Sequence, residues 1–214
     1  MKILKQTETK NGNKIELVGS VNHKNILVIG VFHGDEPQGK YIIDEYLKKE
    51  SPLLFIPCLN PDGMQKNIRT NANGVDLNRN FPTENWGKNE GENATCDDST
   101  TLYYGGTAPA SEIETRFVTE VLEEYKPEII LTIHAPYKVV NYDGPAKKTA
   151  EIISSIIKYP VEASIGYPTP GSFGTYAGVE RGIQTITLEL DETISAQELC
   201  EPVHKIFDCL CNDL

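Results

Sequence analysis

One stretch of the chain, Asn25–Phe32 (NILVIGVF), is apolar along almost its whole length. Side chains alternate between the two faces of a strand, so such a stretch must be buried on both faces. Strands of this kind lie inside largely parallel sheets that helices cover on both sides. The stretch therefore predicts a central strand in an α/β fold.

Apolar runs and amphipathic stretches alternate along the rest of the sequence, which predicts helices packed on a largely parallel sheet. Ser111 and Glu114 have the spacing of a capping box and predict the start of a helix. We find no repeat, low-complexity tract or linker, and expect residues 1–214 to form a single domain. The other predicted strands are Lys14–Val18, Leu53–Cys58, Glu128–Ile133 and Ile183–Leu190, and the other predicted helices are Gln38–Lys49, Ala146–Lys158 and Ser195–Leu210.

The charge balance and the cysteines exclude several classes of protein. Twenty Lys and Arg residues stand against 31 Asp and Glu residues, a net charge of -11, which argues against binding to nucleic acid. No apolar run approaches the ~20 residues that span a bilayer, and the first residues are polar, so we expect a cytoplasmic protein without membrane contact. Five cysteines without a CxxC pair predict free thiols.

Residues 60–107 have a different character, because Gly, Asn, Asp, Pro and Thr dominate and little periodicity remains. We interpret Asn60-Pro61-Asp62-Gly63 as a turn. A compact domain seldom carries so long an irregular stretch without a use for it. The segment is therefore expected to contribute to a functional site.

The sequence His33-Gly34-Asp35-Glu36 follows the buried strand directly and precedes a predicted helix. Ligands of open α/β sheets bind at this edge, where the strands end. His33 and Glu36 could both bind one Zn²⁺ ion, with Gly34 allowing a tight turn between them. The alternative is a helix start, with the acidic side chains at its positive end and a solvated histidine.

His134 ends the strand that contains Ile129–Ile133 and is expected at the same edge of the sheet as His33. It could supply a third metal ligand. The alternative is a histidine at a strand terminus whose hydrogen bonds are satisfied locally. His23 and His204, in a polar turn and on the last helix, are assigned no function.

Two arginines, Arg69 and Arg79, lie in the irregular segment of an acidic chain, among asparagine side chains. A guanidinium group binds a carboxylate through two hydrogen bonds, so the pair could hold an anionic substrate. The alternative is surface ion pairs with the surplus acidic residues.

Glu189 alternates with apolar neighbours in the strand 183–190. On an edge strand its side chain would face solvent. On a central strand the buried carboxylate would require a partner such as a cation, because burying an unpaired charge is costly. In that second case Glu189 is a candidate general base.

Together, His33, Glu36, Arg69, His134 and Glu189 occur in the order and context of the zinc carboxypeptidase family, which the chain resembles over roughly residues 25 to 192. Four further runs are similar to the bacterial murein peptide amidase branch of that family. They are Asn60–Gly63, Arg69–Pro82, Gly105–Thr107 and Gly166–Gly174.

The resemblance implies a three-layer sandwich with a mixed, largely parallel central sheet flanked by helices. It also implies that His33, Glu36 and His134 bind one Zn²⁺ ion per chain, in the two-histidine and one-carboxylate arrangement of carboxypeptidase A. Glu189 would activate the zinc-bound water as general base and then protonate the leaving amine. Arg69 would stabilise the oxyanion of the tetrahedral intermediate.

On the substrate side, the resemblance implies that Asn78 and Arg79 bind the free carboxylate of the released residue. Tyr167 is a candidate substrate-binding residue, one position away from the tyrosine of digestive relatives. Asp76 would orient a zinc-bound histidine. Ala135 departs from the pattern, because an acidic residue is expected before the proline in this branch.

The branch implies hydrolysis of the γ-D-glutamyl to meso-diaminopimelate amide bond in murein tripeptide, during recycling of cell-wall peptides. The partner is then a small peptide with a free carboxylate, and Asp143 could pair with the additional ammonium group of diaminopimelate. An ordinary carboxypeptidase and an N-acyl amino acid deacylase are the alternatives, and a catalytically inactive binding module is a third. A homodimer stays open.

Overall fold

The computed structural model of the chain describes residues 1–87, 103–163 and 169–212. These residues form one eight-stranded sheet. Its strands, in chain order, are β1 (Lys2–Glu8), β2 (Lys14–Gly19), β3 (Ile26–Gly30), β4 (Leu54–Ile56), β5 (Ile129–His134), β6 (Val139–Asp143), β7 (Val161–Glu162) and β8 (Gln184–Glu189).

The strands follow the order β1-β2-β4-β3-β5-β8-β6-β7 across the sheet. Parallel pairing joins β4 to β3, β3 to β5, β5 to β8 and β6 to β7, whereas the other three contacts are antiparallel. The parallel strands β3, β5 and β8 are neighbours near the middle of the sheet. Their carboxyl ends therefore meet at one edge.

The alternation of side chains in β3 creates two hydrophobic cores. Val28 belongs to one core, and Leu27 and Ile29 belong to the other. All five residues of β3 are buried, as expected of a strand covered on both faces. The apolar run that predicted a central strand thus supplies both cores.

Helices cover both faces of the sheet. On one side, α1, α4 and α5 contribute Ile42, Ile153 and Phe207 to the first core, and on the other α3 contributes Val121 to the second core. Among the described residues, no helix combines the length and the apolar character needed to cross a bilayer. The helices are α1 (Gln38–Tyr46), α2 (Pro61–Lys66), α3 (Ile113–Tyr125), α4 (Lys147–Ile157) and α5 (Ala196–Asn212), with a 3₁₀ turn at Leu77–Arg79 and a π-helical turn at Gly174–Val179.

The predicted α/β sandwich with a mixed sheet is confirmed. We propose from the single continuous sheet that residues 1–214 form the one domain expected from the sequence. The sequence interpretation missed the edge strands β1 and β7, the strand β6 and the helix α2. These elements are short or polar, and they show little of the periodicity on which such predictions depend.

Two local predictions are wrong. The Asn60 to Gly63 segment is more than a turn, because Asn60 caps α2 by accepting a 2.9 Å hydrogen bond from Gly63 N, and Pro61 begins the helix. The capping box at Ser111 does not form. Its hydroxyl donates to the carboxylate of Glu112 at 2.6 Å, and the side chain of Glu114 accepts from Asn71.

A candidate metal centre at the carboxyl edge of the sheet

The loop that carries His33 and Glu36 turns sharply as it leaves β3. The sharp change of direction occurs at Val31, which has a φ of 56°, an uncommon conformation for a β-branched residue. Gly34 is needed for a different reason from the predicted tight turn. A Cβ there would lie 2.1 Å from Gly63 C and 2.3 Å from Met64 N, so only glycine lets the loop pack against the backbone of α2.

His134 is the last residue of β5 and pairs with Glu189, the last residue of β8. The two parallel strands therefore present both side chains at the same edge. Phe32 stacks on the His134 ring with 5.2 Å between centroids. His134 is 3% exposed and Glu189 is 6% exposed, so strand pairing and an aromatic neighbour fix both groups inside the protein.

His33, Glu36 and His134 converge on one point although 98 residues separate the last two. Glu36 lies between the two rings: its Oε1 is 2.8 Å from His33 Nδ1, and its Oε2 is 3.0 Å from His134 Nδ1. One ligand atom from each residue lies within 4.8 Å of the other two. Two imidazoles and one carboxylate match the donor set of catalytic zinc sites, so these residues fit the metal.

Charges within this group shift the pKa values in opposite directions. Burial would lower the pKa of His33, but the Glu36 and Asp76 carboxylates outweigh it and raise the pKa to about 9. Burial would likewise raise the pKa of Glu36, but the two imidazoles hold it well below its usual range. The site thus keeps Glu36 ionised and strongly favours positive charge beside it.

Asp76 is fully buried and connects the histidine cluster to Arg69. Its Oδ1 is 3.2 Å from His33 Nε2 and accepts from Asn78 N, while its Oδ2 accepts from Arg69 Nε at 3.0 Å. The neighbouring arginine and histidine overcome burial and lower the pKa of Asp76. When His33 is neutral, as a metal ligand must be, an ionised Asp76 favours its proton on Nε2, which leaves Nδ1 to face Glu36.

Glu189 has a buried carboxylate oxygen, Oε2, with no hydrogen-bond partner among the described residues. Burial raises the pKa of this group, and the positive influence of His134 offsets only part of the effect. A buried carboxylate of this kind is costly unless it meets a cation or a proton donor. Of the two interpretations that the sequence left open, the structure supports the second: Glu189 is buried on a central strand and does not face solvent from an edge strand.

Arg69 and Arg79 reach the same cavity by different routes. Arg69 is bound by Asp76, with Nη2 2.9 Å from Oδ2. Arg79 is 2% exposed, and it donates from Nη1 to Asn78 O at 2.7 Å. Among the described residues, its Nε has no hydrogen-bond partner and no carboxylate forms an ion pair with it. The interpretation of both arginines as surface ion pairs is therefore wrong.

A cavity of about 270 Å³ opens at this edge of the sheet. Three of its lining residues, Gln38, Tyr103 and Tyr137, have no distinguishing local pattern in the sequence and were not predicted. Tyr167 lies outside the described residues, and Asp143 pairs with Thr185 at the far end of β8 and does not line the cavity. The predicted site residues that line it are His33, Glu36, Arg69, Asn78, Arg79, His134 and Glu189.

A mixed α/β sheet that carries a buried His-Glu-His group, beside a carboxylate oxygen that has no hydrogen-bond partner among the described residues, defines a metal-dependent hydrolase. Residues 1–206 match the zinc carboxypeptidase family, and the chain belongs to that family. It is a metallopeptidase or amidase whose cofactor is Zn²⁺.

Two similar proteins illustrate this membership, and a third shares the fold. Murein peptide amidase A of Escherichia coli K12 is 33% identical over 184 residues, which cover 82% of this chain and 74% of that protein. The crystal structure of murein-tripeptide amidase from Escherichia coli O157 superposes with a TM-score of 0.76 at 28% identity, covering 95% and 89% of the two chains. Carboxypeptidase A of Helicoverpa armigera, at 15% identity and a TM-score of 0.75, shares the fold over 96% of this chain and 68% of that one.

Proposed function

We propose that this protein is a zinc-dependent amidase that cleaves the γ-D-glutamyl to meso-diaminopimelate bond of murein tripeptide. Similarity to the two Escherichia coli amidases, extending over most of this chain, supports the substrate class. The observation that carries the proposal is that Arg79, a buried guanidinium whose Nε has no hydrogen-bond partner among the described residues, lines the same cavity as the His-Glu-His group. A carboxylate next to the scissile bond would satisfy it.

His33, Glu36 and His134 would hold the zinc ion, and Asp76 would orient His33. When bound, zinc lowers the pKa of a coordinated water and polarises a carbonyl group. Glu189 accepts the proton lost by the attacking water and delivers it to the leaving amine. Its raised pKa suits both transfers, because a base that holds its proton more tightly also serves as the acid in the second step.

Arg69, Asn78 and Arg79 would stabilise the oxyanion and bind the leaving residue. Arg69, held by Asp76, donates to the oxygen that becomes negatively charged at the scissile carbonyl. Arg79 binds the carboxylate of the leaving residue. Asn78 fixes the wall of the cavity, because its Oδ1 accepts a 2.8 Å hydrogen bond from Phe173 N.

We further propose that the enzyme acts in the cytoplasm on small peptides recovered from the cell wall. The acidic chain, with a net charge of -11, is unsuited to nucleic acid, and the small cavity suits a short peptide.

A peptide panel tests the proposed function. We expect the zinc-loaded protein to release meso-diaminopimelate from L-alanyl-γ-D-glutamyl-meso-diaminopimelate with a kcat/KM at least 100-fold above that for the α-linked isomer. The panel also contains an N-acyl amino acid and a peptide whose C-terminal residue is joined by an ordinary α-amide bond. The same purification of Glu189→Gln controls for contaminating hydrolases. Faster cleavage of either of the last two substrates would replace the proposal with a deacylase or a general carboxypeptidase.

A further inference from the structure

The ring of Tyr103 lies over both cavity arginines. Its centroid is 5.5 Å from Cζ of Arg69 and 5.4 Å from Cζ of Arg79. Each distance is within the roughly 6 Å at which an aromatic face attracts a cation. Two guanidinium groups in one partly buried cavity repel one another, and an aromatic ring that contacts both reduces that cost.

The backbone next to Tyr103 is tied to the segment that carries Arg79. Asp76 N donates to Tyr104 O at 2.8 Å, and the side chain of Asn80 donates to Gly105 O at 2.7 Å. These bonds attach residues 104–105 to both ends of the 3₁₀ turn at Leu77–Arg79. The position of the Tyr103 ring is therefore coupled to the position of Arg79.

The two arginines differ in what else restrains them. Arg69 is fixed by Asp76 through Nε and Nη2, at 3.0 and 2.9 Å. Among the described residues, the guanidinium of Arg79 has one hydrogen bond, from Nη1 to Asn78 O, and its Nε has no partner. The ring contact with Tyr103 is thus a major restraint on the Arg79 guanidinium and a minor one on Arg69.

We propose that Tyr103 is a positioning residue for carboxylate recognition, which holds the guanidinium of Arg79 ready for the carboxylate of the leaving residue. The inference rests on the proposed function, because it assigns Arg79 to that carboxylate. The aromatic face carries the effect, and the hydroxyl group does not. Loss of the ring therefore raises the KM for substrates with the carboxylate and leaves kcat nearly unchanged, since Asp76 still holds Arg69.

The test compares the murein tripeptide with an analogue in which the carboxylate next to the scissile nitrogen is a carboxamide. Tyr103→Leu is expected to raise the KM of the carboxylate substrate roughly 2- to 30-fold, to change kcat less than about threefold, and to leave the KM of the carboxamide unchanged. Tyr103→Phe keeps the native selectivity. Tyr137→Leu, at another tyrosine of the cavity that is 58% exposed, keeps the ratio of the two KM values.

Calorimetric titration with meso-diaminopimelate and its diamide repeats the comparison without turnover. If Tyr103→Leu does not fold, Tyr103→Gln replaces it. A native protein that treats the carboxylate and carboxamide ligands alike contradicts the proposed role of Arg79 and, with it, the proposed function. A native preference for the carboxylate that Tyr103→Leu retains overturns the role of Tyr103 alone. Equal losses in Tyr103→Phe or Tyr137→Leu also overturn it.

Discussion

Glu189 lies directly beside His134, as its register partner on the neighbouring parallel strand. The backbone bond from Leu190 N to His134 O, at 2.8 Å, continues the pairing past both residues. A proton-transferring carboxylate and a metal-binding imidazole are thus placed by the most regular part of the fold. Their separation depends on strand pairing and not on a flexible loop.

Glu189→Gln separates proton transfer from metal binding. The amide cannot accept the proton of the attacking water, so kcat should fall by roughly 10²- to 10⁴-fold. Zinc content, measured by mass spectrometry of the metal, should stay at one ion per chain because Glu189 is not a proposed ligand. Activity within tenfold of the native enzyme would remove Glu189 from the reaction.

His134→Ala should abolish zinc binding, because it removes one of three ligands. For the native protein, zinc at about 100 times its dissociation constant should raise the free energy of unfolding by about 2.7 kcal/mol. The variant should show almost none of this gain in urea titrations. His23→Ala is the matched control, since the His23 ring contacts the backbone of Lys24 away from the cluster. Equal zinc stabilisation of the two variants would contradict the ligand assignment.

Arg69→Ala should lower kcat by roughly 10²- to 10³-fold, the usual cost of losing an oxyanion donor. The substitution also removes the ion pair with Asp76, but His33 and Asn78 N still contact that carboxylate. Unfolding experiments should therefore show a loss of only about 1 to 3 kcal/mol. Arg181→Ala, which removes a guanidinium from the Tyr176 ring outside the cavity, should leave kcat within twofold. A folded Arg69→Ala protein with near-native kcat would exclude the role.

Glu114→Gln should remove the contribution that Glu114 makes to the pH dependence of the free energy of unfolding. Burial, together with the nearby Glu112 and Asp62 charges, raises the pKa of Glu114 from 4.5 to about 7 despite a hydrogen bond from Asn71. The folded protein therefore holds a proton that the unfolded chain loses, and its stability decreases as the pH rises through this window.

The glutamine variant stays neutral, so at pH 8 it should be more stable than the native protein by up to about 3 kcal/mol. At pH 4 the two proteins should be alike. Urea unfolding of both at each pH measures the difference, in which other titrating groups cancel. A difference that does not vary with pH would show that folding does not shift the pKa of Glu114.

The site residues at the carboxyl edge of the sheet could be predicted from the sequence, because the pattern of apolar residues marks where each strand ends. The apolar stretch before His33 and the apolar alternation around Glu189 both mark strands that are buried in the structure. Once these strands lie parallel on either side of β5, their terminal residues meet at one edge of the sheet. Ligands far apart in the chain could thus be expected at one edge.

The irregular segment was less predictable, because long-range polar contacts determine its course. Arg79 could be a surface or a cavity residue until the hydrogen bonds from the Asp76 backbone and the Asn80 side chain to the 104–105 segment are known. Tyr103 becomes important only through those bonds. No local pattern encodes them, since each pairs residues that are more than twenty positions apart.

The close approach at Gly34 affects how the metal ligands are held. Two main chains, those of the His33 loop and of α2, meet there with no side chain between them. Asn60 joins the same parts, donating to Phe32 O and to Arg69 O. The distance between the ligand loop and the arginine segment is therefore set by the stiffness of peptide units, and rotamer changes in the surrounding core cannot readily alter it.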